Sequence, residues 1–379
     1  MRVKLSELGT VITGNTPSKQ EQKYWTSSDI PFIKPDIISQ NEITELQSAN
    51  EYVSDAARSK ARIVGKGVVL VTCIGTIGKI CLTGRECAFN QQINAIVPNE
   101  KVLPEYLAYC IYYNRYKLAE IANAPVVPII NKSQFEEFYV SIEKDVELQR
   151  KILLILRRAS ALVSYRQHQL QKLDELVKAR FIELFGDPQR NPHGHKHTKL
   201  SDIATYYNGL TYKPENVAEE GTIVLRSSNI QNSQLDFADT VRVDCAIKER
   251  LMVQKNDILM CSRNGSAKLV GKVALIKDTQ EPMSFGAFMM IIRSHYFGYL
   301  MTYFQMDAFR QQIKTGATTT INQITGRMLD DVTIPLPPMA LVDQFAAFIE
   351  QTDKSKVAIQ KALDEAQLLF DSLMQKYFG

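Results

Sequence analysis

One uninterrupted stretch of about 40 residues near the middle of the chain, Val146–Phe185, contains neither glycine nor proline. Alternating steps of four and three residues land on Ile152, Leu156, Ala159, Val163, Arg166, Leu170, Leu173, Val177, Arg180 and Leu184, and eight of these ten are apolar. That is the 3.5-residue seam of a helix lying against another helix. Gly186-Asp187-Pro188 then stops it. At 1.5 Å per residue the rod is roughly 60 Å long. A matching seam falls near the C-terminus, over residues 341 to 377, on Phe345, Phe348, Thr352, Ser355, Ile359, Ala362, Ala366, Leu369 and Leu373. Both stretches close alike, in Phe181-Ile-Glu-Leu-Phe-Gly186 and Leu373-Met-Gln-Lys-Tyr-Phe-Gly379. Two readings fit: a coiled pair, or two amphipathic helices on separate cores. Their length, well past that of ordinary globular helices, favours the pair.

The two stretches close two halves that repeat each other. Lys4-Leu-Ser-Glu-Leu8 recurs as Lys199-Leu-Ser-Asp-Ile203. Gly14-Asn-Thr-Pro17 and the strand beginning Pro31-Phe-Ile are answered by Gly209-Leu-Thr-Tyr212 and Val224-Leu-Arg-Ser. Gly78-Lys79 recurs as Gly271-Lys272, and Ile130-Asn131 as Ile321-Asn322, all at nearly the same spacing. The chain is therefore domain–helix–domain–helix, a duplication. Residues 1–144 form the first domain, 145–187 the central helix, 188–338 the second domain and 339–379 the C-terminal helix. Within the first domain, Gly67-Val-Val-Leu-Val-Thr-Cys-Ile74 reads as a strand. Gly75-Thr-Ile-Gly78 reads as a hairpin turn into Lys79-Ile-Cys-Leu82, and Pro104 opens a helix. The fold class is α+β. Two α/β domains related by a pseudo-two-fold axis are expected, separated by an antiparallel pair of long helices.

Composition sets outer bounds. The chain has 379 residues, 45% hydrophobic and 23% charged, which suits two or three soluble domains. No signal-peptide core and no apolar run near membrane-spanning length is read, so no membrane association is expected. Six cysteines include no CxxC pair and mostly lie in apolar runs, which predicts free thiols in a reducing cytoplasm. A net charge of +4 permits nucleic-acid binding without arguing for it. The local distribution is more pointed: residues 56–85 carry Arg58, Lys60, Arg62, Lys66, Lys79 and Arg85 and no acid.

Catalytic patterns are missing from the sequence. Gly75-Thr-Ile-Gly-Lys79 has the wrong glycine spacing for a phosphate loop, as does the stretch from Gly265 to Lys272. His193-Gly-His195-Lys-His197 sits in a Pro/Gly/Asn-rich stretch without acid or cysteine partners and reads as a solvated linker, not a metal site. Asn123-Ala-Pro-Val is not an adenine-methylating tetrapeptide, and Pro35-Asp36 is not followed by the Glu-x-Lys of a nuclease. What remains is a polar, basic set on turns and loops. In the first domain it comprises Lys34, Arg62, Thr76, Lys79, Arg85, Asn90, Gln91 and Gln92. In the second it comprises Arg226, Ser227, Ser228, Asn229, Arg263, Asn264, Lys268, Lys314, Thr319 and Asn322. Arg, Lys, Asn and Gln pair with base edges, and Arg, Lys, Ser and Thr hold phosphates. Around the shared scaffold these loops differ, as two recognition surfaces for different sequences would. Cys261-Ser-Arg-Asn-Gly-Ser-Ala-Lys-Leu-Val-Gly271, for example, stands where Cys73-Ile-Gly-Thr-Ile-Gly78 does.

Across its whole length the chain resembles the DNA-specificity subunits of type I restriction–modification enzymes. The resemblance rests on Leu5-Ser-Glu-Leu with Gly14-Asn-Thr-Pro-Ser, and on Tyr24-Trp25 before Asp29-Ile-Pro-Phe-Ile. It rests further on the strand before Gly75-Thr-Ile-Gly-Lys79, on Ile334-Pro-Leu-Pro-Pro338, and on Glu183-Leu-Phe-Gly-Asp-Pro188 before Asn191-Pro-His-Gly. In one departure the central helix is entered through Ser141-Ile-Glu-Lys-Asp145. The resemblance implies two target-recognition domains, each reading half of a split target in double-stranded DNA, with the helices setting the spacer. It implies two modification and two restriction subunits as partners, with S-adenosylmethionine, ATP and Mg used in those partners and no cofactor in this chain. It also implies a chain that is not catalytic by itself. Two alternatives stand beside it: a stand-alone DNA-modifying enzyme with an unrecognised site, and a coiled-coil scaffold without a DNA role.

Overall fold

The computed structural model describes residues 1–122, 127–279, 281–313 and 322–379. It divides into two compact units, Met1–His168 with Ile359–Gly379, and residues 169–358.

In the first unit a five-stranded sheet runs in the order Gly9–Thr13, Ile93–Pro98, Val69–Thr72, Ile80–Thr83, Thr44–Leu46. Its first four strands are antiparallel neighbours, and the last pairs in parallel, Thr44 opposite Cys81. A second sheet of four strands places Ile30–Ile33 parallel to Cys87–Phe89, with Glu51–Val53 and Ile63–Val64 at its edges. Nearly every residue of the central strands is buried, so they read as unbroken apolar runs without alternation. The expected hairpin is present: Val71 faces Ile80, and Gly75 and Gly78 take φ of 77° and 81° in the turn. Helix Pro104–Tyr113, with proline at its first turn, buries Tyr106 and Leu107 in the first unit's core.

The second unit repeats this plan. Thr205–Asn208, Met289–Arg293, Ile258–Cys261 and Val273–Leu275 form one antiparallel sheet. In the other, Thr222–Leu225 runs parallel to Met283–Phe285, as Ile30–Ile33 runs parallel to Cys87–Phe89. Arg2–Lys4 pairs with Tyr139–Ser141 in the first unit, and His197–Lys199 with Thr333–Pro335 in the second. His197 therefore belongs to a strand, and the linker ends before it.

Backbone crowding explains the repeated Gly14 and Gly209. A Cβ on Gly14 would lie 2.1 Å from the Asn90 carbonyl oxygen, and one on Gly209 would lie 2.1 Å from that of Gly286. Any side chain would force two strand ends apart. One repeat anchor needs correction. Asn131 caps Lys132–Glu136 by accepting from the Gln134 N–H. The matching cap in the second unit is Thr325, which accepts from the Met328 N–H, and not Asn322. Ile130 and Ile324 precede the two caps, both buried, and donate to the Cys73 and Ser262 carbonyls. The expected match, Ile321-Asn322, involves Ile321, outside the described residues, and Asn322, which joins a short strand instead.

The long helices span Val146–Phe185 and Met339–Phe378, each contributing to both units. Asp145 starts the first by accepting from the Glu147 N–H. In the first unit, Ile152, Leu156, Ala159 and Val163 join one core with Phe370, Leu373, Met374 and Phe378. In the second, Val177, Phe181, Leu184 and Phe185 join another with Val342, Phe345 and Phe348. There the helices run antiparallel: Phe345 meets Phe181 and Phe185, and eleven residues on, Lys356 pairs back with Asp174. Phe181, Phe185, Tyr299 and Phe345 form a cluster of rings 4.9–5.6 Å apart. Such contacts add about 0.5–1.5 kcal/mol per pair beyond area burial.

Leu170, Leu173 and Ile359 are half-buried on the stepped face, but Leu369 is 51% exposed and its neighbour Phe370 is buried. Toward its end the second helix buries Ala366, Phe370, Met374 and Phe378 in steps of four. These steps turn the buried face around the helix to meet Tyr106, Tyr109 and Tyr113, so the 3.5-residue repeat no longer applies.

Candidate nucleic-acid interface

In the first unit the candidate loops meet at one end of the sheets, tied by Asn15 and Thr16. Asn15 donates from Nδ2 to the Lys60 carbonyl (2.6 Å) and accepts at Oδ1 from the Arg62 N–H (2.7 Å). Thr16 donates to Gln91 Oε1 (2.7 Å). Lys79 Nζ donates to the Pro35 carbonyl (3.0 Å), joining the hairpin turn to the loop after Lys34. Arg62, Thr76, Arg85 and Gln91 are exposed; Lys34, Lys79 and Gln92 are half-buried.

Several candidates prove to have structural duties. Asn90 is buried and exchanges hydrogen bonds with Gln92 through both its Nδ2 and its Oδ1. Lys34 is ion-paired to Glu51, whose carboxylate raises the lysine's pKa. The stretch 56–85 is acid-free in sequence but not in space. Arg58 makes a two-pronged pair with Glu86 and Lys66 one with Glu45, both carboxylates from outside the run. Its free positive charge is smaller than its composition implies.

The second unit brings together Arg226, Ser227, Ser228, Arg263 and Asn264. Asn229 is fully buried: it accepts from the Arg226 N–H and donates to the Asp236 and Asp239 carbonyls, which pins the following hairpin. Arg226 is paired with Asp239 at 2.7 Å. Lys268 is exposed, and Asn322 is half-buried opposite Asn264. Lys314 and Thr319 lie outside the described residues.

Beside Arg226 and Ser227 opens a concavity of about 360 Å³, which Tyr212 and Phe288 also line. Phe288 is 60% exposed, with the Arg263 guanidinium 5.9 Å from its ring centre. Asn15, Thr16, Tyr212 and Phe288 were not among the sequence candidates. The repeated glycines flag the first three, which stand within three residues after Gly14 or Gly209; Phe288 stands two residues after Gly286 in an otherwise core-forming apolar run.

The groups gathered at these ends are amides, hydroxyls, guanidiniums and exposed rings, suited to hydrogen bonding and stacking on nucleic acid. His193 and His195 lie 5.7 Å apart, and partial burial with its neighbour lowers the His195 pKa. Among the described residues no group of three His, Cys, Asp or Glu side chains is placed to hold a metal. No described helix is long and apolar enough to cross a membrane. Five of the six cysteines are buried, all six are free, and burial pushes the thiols of Cys73, Cys81, Cys87, Cys110 and Cys261 upward.

The sequence profile of one family, the type I restriction modification DNA specificity domain, matches residues 1–175 and again 192–367. The specificity subunit of the type I restriction enzyme MjaIX from Methanocaldococcus jannaschii is 22% identical over 399 aligned positions, covering 98% of this chain and 91% of that one. The HindI specificity subunit from Haemophilus influenzae is 38% identical over 186 positions, 47% of this chain and 40% of that one. The crystal structure of a type I restriction-modification S subunit from M. genitalium shares the fold over 100% of this chain and 96% of its own, with a TM-score of 0.57 at 14% identity.

Proposed function

Because the chain belongs to the type I restriction modification DNA specificity domain family, with two copies of the domain, we propose that it is the DNA-reading subunit of a type I restriction–modification complex. Each unit reads one half of a split target in double-stranded DNA. The long helices set the unspecified spacer and dock two modification subunits, to which two restriction subunits add. The methyl donor S-adenosylmethionine, ATP and Mg are used in those partners, within the cytoplasm, and this chain is not catalytic alone. The two domains, the central helix and the C-terminal helix divide at residues 144, 187 and 338.

One observation carries this reading. Two units share the order of their core strands, the crowded glycines and the closing strand pairs, yet differ in their edge strands and in the loops at one end. Among the shared features, Gly14 and Gly209 meet carbonyls in the same way. Among the differences, Thr16 and Gln91 stand at that end of the first unit, and Phe288 with Arg263 at that of the second. A scaffold kept and a surface changed is what independent recognition of two sequences requires. Sequencing of methylated positions in cells carrying the chain with its modification partner tests it. A bipartite motif with an unspecified spacer is expected, and a single contiguous motif would contradict the reading. Purified chain alone, given labelled S-adenosylmethionine and DNA, is expected to transfer no methyl group.

A further inference from the structure

At the end of the second unit where Phe288 is exposed, residues Arg263–Asn264 pair antiparallel with Asn322–Gln323, Arg263 opposite Gln323 and Asn264 opposite Asn322. All four side chains are of the types that bond base edges. Among the described residues, the first unit has at the corresponding place a bridge between Ile74 and Ile129. The second unit therefore carries a polar two-stranded ribbon where the first carries an apolar contact.

The ribbon is firmly rooted. The Phe288 carbonyl accepts from the Ser262 N–H (2.9 Å), the Ser262 hydroxyl (2.9 Å) and the Arg263 N–H (3.0 Å), and the Ile324 N–H donates to Ser262 O (2.7 Å). Its two faces differ. Side chains directly opposite each other across an antiparallel pair share a face. Asn264 is turned to its own unit, donating to Ser227 Oγ (3.4 Å) and accepting from the Ser266 N–H (3.0 Å). Arg263 is exposed and donates from Nη2 to Gln323 Oε1 (2.8 Å), with Phe288 beside its guanidinium. Three other arginines on or beside this unit's sheets are neutralised: Arg226 by Asp239, Arg242 by Glu281 and Arg293 by Asp257. Arg263 is held by an amide and a ring, which fix its plane without cancelling its charge.

A two-stranded ribbon fits the major groove, where an arginine fork pairs with guanine O6 and N7. The bond to Gln323 uses one of the five guanidinium N–H groups and leaves the others available for such a fork. We propose that Arg263 reads a guanine in the half-site of the second unit, and that Gln323 positions it. The ribbon is then the part of that unit inserted into the major groove. This rests on the DNA-reading function proposed above.

The test uses the full chain with its modification partner, comparing wild type, Arg263→Lys, Arg263→Ala and Gln323→Ala by methylated-motif sequencing and by DNA binding at varied salt. The second unit's half-site is assigned by exchanging residues 199–333. Arg263→Lys keeps the charge but loses the fork. It is expected to make one guanine position of that half-site degenerate, lowering discrimination there by roughly 10- to 100-fold. The first half-site and the salt dependence of binding stay as in wild type. Gln323→Ala is expected to relax the same position to a smaller extent, and it reports independently if the lysine variant fails to fold. The assignment is overturned if both variants keep the wild-type motif. It is equally overturned if Arg263→Ala weakens binding to all sequences alike and lowers the salt slope by about one, the signature of a phosphate contact. A wild-type protein that marks no split motif would instead refute the DNA-reading function itself.

Discussion

Asn229 shows how a side chain of base-reading type can be committed entirely to its own fold. Its amide spans the Arg226 N–H and the carbonyls of Asp236 and Asp239 with no exposed surface left. Replacing it with alanine removes the partner of three part-buried backbone groups, each hydrogen bond being worth about 0.5–1.5 kcal/mol net. Asn229→Ala is expected to destabilise the second unit by about 2–4 kcal/mol in denaturant unfolding, given partial relaxation. A loss under about 0.5 kcal/mol, the range of an ordinary surface change, would contradict that role. Asn229 and Asn90 looked like recognition residues because residue type and a loop position are all that sequence displays. Which face of a turn an amide takes depends on the path of the chain that follows, here the loop that brings the Asp236 and Asp239 carbonyls back to Asn229. Asn15 was passed over for the converse reason: its partners, Lys60 and Arg62, are brought to it by tertiary structure.

The elements themselves were legible where periodicity was long. The central helix spans Val146–Phe185 as its unbroken seam implies, because forty residues average out local ambiguity. The C-terminal seam is legible over its first half and slips at Leu369, since there the helix packs on Tyr106, Tyr109 and Tyr113 as well as on the central helix, and an ideal helix drifts from a 3.5-residue repeat. The energetic consequence can be measured. Phe370→Ala removes a ring packed 6.2 Å from Tyr109 and is expected to cost about 3 kcal/mol in unfolding experiments. Leu369→Ala, at a half-exposed site, is expected to change stability by less than about 0.5 kcal/mol. Equal effects would restore the original seam. The same helices are proposed to measure DNA. Four residues added after Arg166 lengthen the rod by about 6 Å, one or two base pairs at about 3.4 Å each. They add a net rotation of about 40°, close to one base-pair twist. Methylated-motif sequencing is expected to show both half-sites kept and the spacer grown by one, or at most two; an unchanged spacer would mean the helices serve packing alone.

For the whole molecule, duplication was the most informative signal in the sequence, and it placed most of the repeat correctly from short motifs alone. The crossing glycines and the turn glycines 78 and 271 recur because backbone geometry tolerates nothing else there, with φ of 81° at both turns. The anchor at Asn131 misleads because asparagine and threonine can both cap a helix, so the repeat continues at Thr325 under a different residue type. Loops were least legible, for the reason that the two halves have one scaffold and two surfaces. Membership in the specificity family follows from the whole chain, and independence of its two readers is the central claim that follows from this scaffold. The most direct test replaces residues 199–333 with the equivalent part of a relative that has a different target, and sequences the methylated motif in cells supplying the modification partner. One half of the motif is expected to change to the relative's while the other half and the spacer stay as they were. A motif in which both halves change together would contradict independent reading.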